Sequence, residues 1–188
     1  MKLNDIFENV FVGITLSKVN SSDESSVKYR LLTTRAMRNN KIIDDNLDLF
    51  YGGCVEEKYL TKVDDVIIKS SAPYDAVVID GDHQNLLIPS FCITLRGIKD
   101  IDPILVSIIL NSDVFKKRIR DEVLGGGVLM LSKIRLFNID FINFEDKELI
   151  ETITQYGKEL LRKKSLFSEI IALEEERLSC LIGKMYEE

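Results

Sequence analysis

The sequence predicts an α+β fold: a strand-rich head over residues 1–144 with a few short helices, then one long C-terminal helix over residues 145–188. Three observations predict it. Short runs of β-branched and aromatic residues, broken by turn chemistry, fill most of the head. A helical patch with its own start and stop signals interrupts them. From Glu145 onward proline disappears, glycine becomes rare, and apolar residues recur at heptad spacing.

The strand signals are "NVFVGI", "VKYRLLTT", "DVIIKS", "DAVVID", "NLLIP" and "FCITLRG". "SAPY", "DGDHQN" and "PS" separate the later ones and supply turn residues. At such close spacing, pairing through neighbouring hairpins and meanders is expected. In the helical patch Asp102 caps a helix that has Pro103 at its first position, where a missing N–H is harmless. Ser112 caps a second helix, "DVFKKRIRDEVL". Its Phe115, Ile119 and Val123 line one face while Lys116 and Arg120 line another. Gly125 to Gly127 end it, and "KIRLFNIDFINF" is expected to return as a strand.

The tail shows two seams three residues apart. One runs through Ile150, Gly157, Lys164, Ile171, Leu178 and Met185. The other runs through Ile153, Leu160, Phe167, Glu174, Leu181 and Glu188. Eight of these twelve positions are apolar, against 45% for the whole chain, so the heptad is real though imperfect. Roughly 40 residues at a rise of about 1.5 Å make a helix about 60 Å long. A small head does not cover that length, so an intermolecular antiparallel coiled coil is expected. The expected dimerisation residues are Ile150, Ile153, Leu160, Phe167, Ile171, Leu178, Leu181 and Met185.

Composition narrows the function. The apolar content and the three prolines fit a globular chain of 188 residues. No run reaches the roughly 18 uncharged apolar residues of a membrane span, and "MKLNDIFENV" lacks a signal-peptide pattern; a cytoplasmic location and no membrane partner are expected. Cys54, Cys92 and Cys180 are far apart with no C-x-x-C, and read as small buried residues in a reducing compartment. With His83 as the sole histidine, in a polar turn that reads as surface, neither a zinc site nor a Ser-His-Asp triad is expected. The net charge of −6 is uneven. Residues 1–144 hold 18 Lys/Arg and 20 Asp/Glu, whereas residues 145–188 hold 7 and 11. The head's basic residues are bunched, around residues 28–41 and 116–120, and bunched charge can meet phosphate despite an acidic total.

"SSAPYD", Ser70 to Asp75, is similar to the (Asp/Asn/Ser)-Pro-Pro-(Tyr/Phe) signature with which amino-methyltransferases hold a flipped adenine. Ala72 stands where that signature has its first proline. No strand ends in a glycine-rich turn into a helix, so no methyl-donor site and no other cofactor is expected. The stretch reads as a turn between "DVIIK" and "AVVID", with Pro73 setting the bend. The acidic pairs Asp44–Asp45 and Asp64–Asp65 read as solvated turn residues.

The whole arrangement resembles the specificity (S) subunit of type I restriction-modification enzymes, with one recognition domain and one spacer helix. The resemblance rests on "KLNDIFENVFVGIT" with its turn at Gly13, and on "KYLTKVDDVIIKSSAPYDAVVI", where Asp64–Asp65 stands in place of the usual Gly-Asp. It extends over "NLLIPSFCITLRG" and "PILVSIILNSDVFKKRIRDEVLGGGVLMLSKIRLFNIDF", and to the closing helix, which lacks the usual Pro-rich lead-in. It implies a non-catalytic chain that reads double-stranded DNA. Modification (methyltransferase) subunits, and restriction subunits where present, are the implied partners. A second copy of the chain, or another half-subunit, would supply the missing recognition domain, giving a split, palindromic site. Charge and loop position nominate Lys18, Arg30, Arg35, Arg38, Lys69, Tyr74, Gln84 and Asn85 as DNA-contacting residues. The competing expectation is a coiled-coil scaffold whose head binds a protein or small ligand, which the acidity fits more easily.

Overall fold

A computed structural model describes residues 3–19, 26–125, 130–141 and 145–186. Gly126 and Gly127, the stretch 142–144 and Glu188, for which the sequence raises expectations, lie outside the described residues. The chain divides into two compact units, Met1–Asp146 and Lys147–Glu188.

The head is built on a four-stranded antiparallel sheet of β1 (Phe7–Val12), β6 (Val66–Lys69), β7 (Ala76–Val78) and β9 (Cys92–Ile98), in the order β1-β9-β6-β7. A smaller sheet holds β2 (Val27–Leu31) between β5 (Asp48–Gly52) and β8 (Leu86–Leu87), and β3 (Met37–Arg38) pairs with β4 (Lys41–Ile42). Helices α1 (Pro103–Asn111), α2 (Asp113–Gly125) and α3 (Lys133–Asn138) complete this unit.

Strand β6 shows how the layers are ordered. Its four residues are all buried, because both faces of the sheet are covered. Val66 and Ile68 enter one core with Ile93, Leu95, Val106 and Leu110, and with Phe115, Ile119 and Val123 of α2. Ile67 points the other way, into a second core with Met37, Ile42, Val77, Leu86 and Cys92. The period-2 alternation of a strand thus feeds two cores, one under the helices and one under the small sheet and hairpin.

Neighbour pairing holds only for β6–β7 and β3–β4. The longest pairing joins β1 to β9, and β2 runs parallel to β8, so hairpins and meanders do not describe most of the head. Gly13, expected as a turn, is needed for space: a Cβ there would press into the Pro89 and Ile88 carbonyls. The close approach lets Gly13 N–H reach Cys92 O at 3.0 Å and Ile14 N–H reach Ile88 O at 2.8 Å.

The helix starts follow the sequence. Asp102 Oδ1 accepts from Ile104 N–H at 2.8 Å with Pro103 at the first position, and Ser112 Oγ accepts from Phe115 N–H at 3.2 Å. "KIRLFNIDFINF" departs from expectation. Residues Lys133–Asn138 are helical, capped by Ser132, whose hydroxyl accepts from Arg135 N–H at 3.3 Å. Leu136 is buried while Ile134 is exposed, a split that a strand placing both on one face could not give.

Two readings of buried chemistry also need correction. Cys54 and Cys180 are exposed, and only Cys92 is buried, where burial pushes its thiol up to about 12. His83 is buried, with Nδ1 2.6 Å from Asp80 Oδ1 and Nε2 3.4 Å from Asp44 Oδ2.

The second unit is one helix, α4 (Lys147–Lys184), 38 residues long and therefore about 57 Å at 1.5 Å per residue. Thr154 and Gly157 are its buried residues, and Ile150 is half-buried. The other expected seam residues are exposed, from 38% at Ile153 to 78% at Met185. Leu166, Ile170 and Leu173 add a second exposed apolar strip beside the seam. Among the described residues, no helix is long and apolar enough to cross a membrane.

Candidate functional site

The "SSAPYD" stretch is the β6–β7 turn. Tyr74 N–H donates to Ser71 O at 2.9 Å, Lys69 N–H to Asp75 O at 3.0 Å, and the Ala72–Pro73 peptide is cis. Tyr74 adopts a positive φ of 56° and its ring is buried in the helix-side core. A ring held there cannot stack on a base, so the sequence expectation for Tyr74 is corrected.

The turn contributes one wall of a cleft of about 520 Å³. Its other walls are the β3–β4 hairpin with the residues before it, and the start of α2. At its floor Lys69 Nζ donates to Asp75 Oδ2 at 3.1 Å and Lys116 Nζ donates to Asp75 Oδ1 at 2.6 Å. Lys116 also donates to Asn39 Oδ1 at 3.2 Å. The side chains of Lys69, Lys116 and Asp75 are only 7%, 10% and 6% exposed. Burial alone would raise the Asp75 carboxyl, but hydrogen bonds and charge from Lys116 and Lys69 outweigh it and hold it below its ordinary 3.8.

Lys69 therefore has a different setting from the surface loop role expected of it: it is a floor residue. Arg35 and Arg38 line the same cleft at its exposed rim, and Arg35 also pairs with Asp48 at 3.2 Å. Three nominated residues, Arg35, Arg38 and Lys69, thus converge. Asp75, Asn39 and Lys116 complete the cleft and were missed. A signal for Lys116 existed: it lies three residues before Ile119 and seven before Val123, on the margin of the α2 stripe that enters the core.

A second group of nominated residues gathers elsewhere. Arg30 Nη2 reaches Asp44 Oδ1 at 2.8 Å and Nη1 reaches Asp82 O at 3.5 Å. The adjoining 80–85 turn carries exposed Gln84, whose Nε2 donates to Gly81 O at 3.0 Å, and Asn85 at φ 61°. With Asp44, Asp80 and Asp82 around Arg30 and His83, this cluster carries more negative than positive charge. Lys18 is exposed at the end of the Leu16–Lys18 turn and lines neither cluster.

Asp65 corrects the reading of the second acidic pair. It is buried and grips Arg96 twice, Nε to Oδ1 at 2.8 Å and Nη2 to Oδ2 at 2.7 Å, while its Oδ2 also accepts from Lys62 N–H at 2.8 Å. Asp64 has a φ of 67°, the left-handed region that glycine enters most easily. Among the described residues, no cluster of three or more His, Cys, Asp or Glu side chains could hold a metal ion.

The architecture defines a mixed strand-rich head with a long closing helix, and solved structures share it. No family model matches the chain, and no curated protein matches its sequence. The HsdS subunit from Thermoanaerobacter tengcongensis superposes with a TM-score of 0.61 at 11% identity, over 94% of this chain and 44% of that one. A chain from a structure of type I R-M system complex assembly and conformational transition superposes with a TM-score of 0.59 at 12% identity. That match covers 90% of this chain and 44% of the other. The chain thus spans less than half the length of these two structures. The resemblance to type I specificity subunits, drawn from scattered sequence features, holds at the level of fold.

Proposed function

We propose that this chain is a non-catalytic DNA-specificity subunit of a type I restriction-modification system. In this reading its head recognises half of a split site. α4 pairs antiparallel with α4 of a second copy, and the paired heads direct modification and restriction subunits to the DNA. The single observation that carries the reading is the shared fold, which extends through the head and helix together over 94% of the chain. The exposed heptad seam supports the pairing, because apolar side chains at a and d spacing gain most by burial against another helix. Twofold pairing of identical chains calls for a palindromic site whose gap is set by the helix pair.

Mobility-shift titrations of the chain with its modification subunit, against split palindromes of graded spacer, test this. One spacer length should bind far better than its neighbours, and adding salt should weaken binding steeply. Equal binding at all spacers would remove the measuring role of α4. No duplex affinity under any condition would favour the scaffold reading.

A further inference from the structure

We propose that the cleft between the β3–β4 hairpin, the β6–β7 turn and α2 is a phosphate-binding site. Two buried ammonium groups share the one carboxylate of Asp75, which leaves a positive charge without a counter-ion at the floor. Burying unbalanced charge is expensive, and an incoming oxyanion would relieve it. The lysines are also under-used as donors. Lys69 Nζ has three protons and one described acceptor, Asp75. Arg38 stands at the rim of the same cleft, its side chain engaged in none of the described ion pairs. Asn39 and Asp75 position the lysines rather than meeting the ligand. The cleft is open and larger than a lone phosphate, so the bound group can belong to a chain. The source most consistent with the head is a phosphodiester of the nucleic-acid backbone; that assignment rests on the proposed function, while the site does not.

The test uses the full chain and inorganic phosphate, at ionic strength matched with chloride, reading the thermal midpoint. Phosphate should raise the midpoint, and Lys116→Met and Arg38→Gln should each weaken its affinity by about tenfold, the loss of one charge-assisted hydrogen bond. Lys116→Met leaves a neutral Lys69–Asp75 pair, so its midpoint without phosphate should stay level or rise. A merely structural Lys116 predicts the reverse: a lower midpoint and an unchanged phosphate response. Equal midpoint shifts by chloride and phosphate, or by phosphate on wild type and both variants, would overturn the site. A second arm measures duplex affinity against salt. A backbone phosphodiester predicts a slope smaller by about one for either variant. Phosphate binding with an unaltered DNA slope keeps the site but assigns it to free phosphate. DNA binding that ignores both variants, with no phosphate response, sinks the site and spares the proposed function.

Discussion

The head and α4 treat their apolar residues in opposite ways. In the head, Ile67 and Ile68 point to different sides of one strand, and each finds a complete core. Along α4, Phe167, Ile171, Leu178, Leu181 and Met185 are exposed. Apolar side chains at such regular spacing on a helix are stable in water only when something covers them. The head's sequence is therefore answered within its own fold, and the helix's sequence is answered by a partner. The contrast distinguishes changes that unfold the molecule from changes that pull a pair of molecules apart.

The largest expected effect on stability is in the head. Asp75→Ala leaves two buried lysines facing each other without a carboxylate and should cost on the order of 3–5 kcal/mol by denaturant unfolding. A loss under about 1 kcal/mol would mean that water already neutralises the cleft floor. On α4 the signature should invert. The double variant Ile171→Asp/Leu178→Asp should abolish self-association while shifting head stability by no more than about 0.5 kcal/mol. Head unfolding caused by these changes would show that the seam serves the head itself.

What the sequence made legible follows the range of the forces involved. The Asp102 and Ser112 caps, the α2 stripe and the β6–β7 turn are local, and each is readable from a few adjacent residues. The long helix was legible because its period repeats. The β1–β9 and β2–β8 pairings were not, because nothing near Phe7 or Val27 encodes a partner so far along the chain. α3 reads as a strand because Ile134 and Leu136 mimic strand alternation, although the Ser132 cap carries the stronger signal. The cleft was half legible. Arg35 and Arg38 announce themselves by charge, but Lys69 sits in a strand and Lys116 on a helix, and only the fold brings them to one carboxylate.

Acid should sharpen the contrast further. Because the Asp75 carboxyl is held below 3.8 in the folded head, its stabilisation is complete above that ordinary value and fades as pH falls toward the lower folded one. Asp75→Asn should therefore flatten the acid limb of stability below about pH 4. An unchanged limb would place the sensitivity in other carboxylates. The smallest expected effect is at Asp64. Replacing it with glycine should leave stability within about 1 kcal/mol, since relief of the left-handed strain offsets the added chain entropy. Asp64→Val at the same φ should destabilise clearly; equal stability of both variants would remove the strain argument.

Sedimentation equilibrium of the intact chain at micromolar concentration tests the central claim most directly. The account predicts a particle of twice the chain mass, reduced to one chain mass by Ile171→Asp/Leu178→Asp. A wild-type chain that sediments as a single copy throughout that range would contradict it.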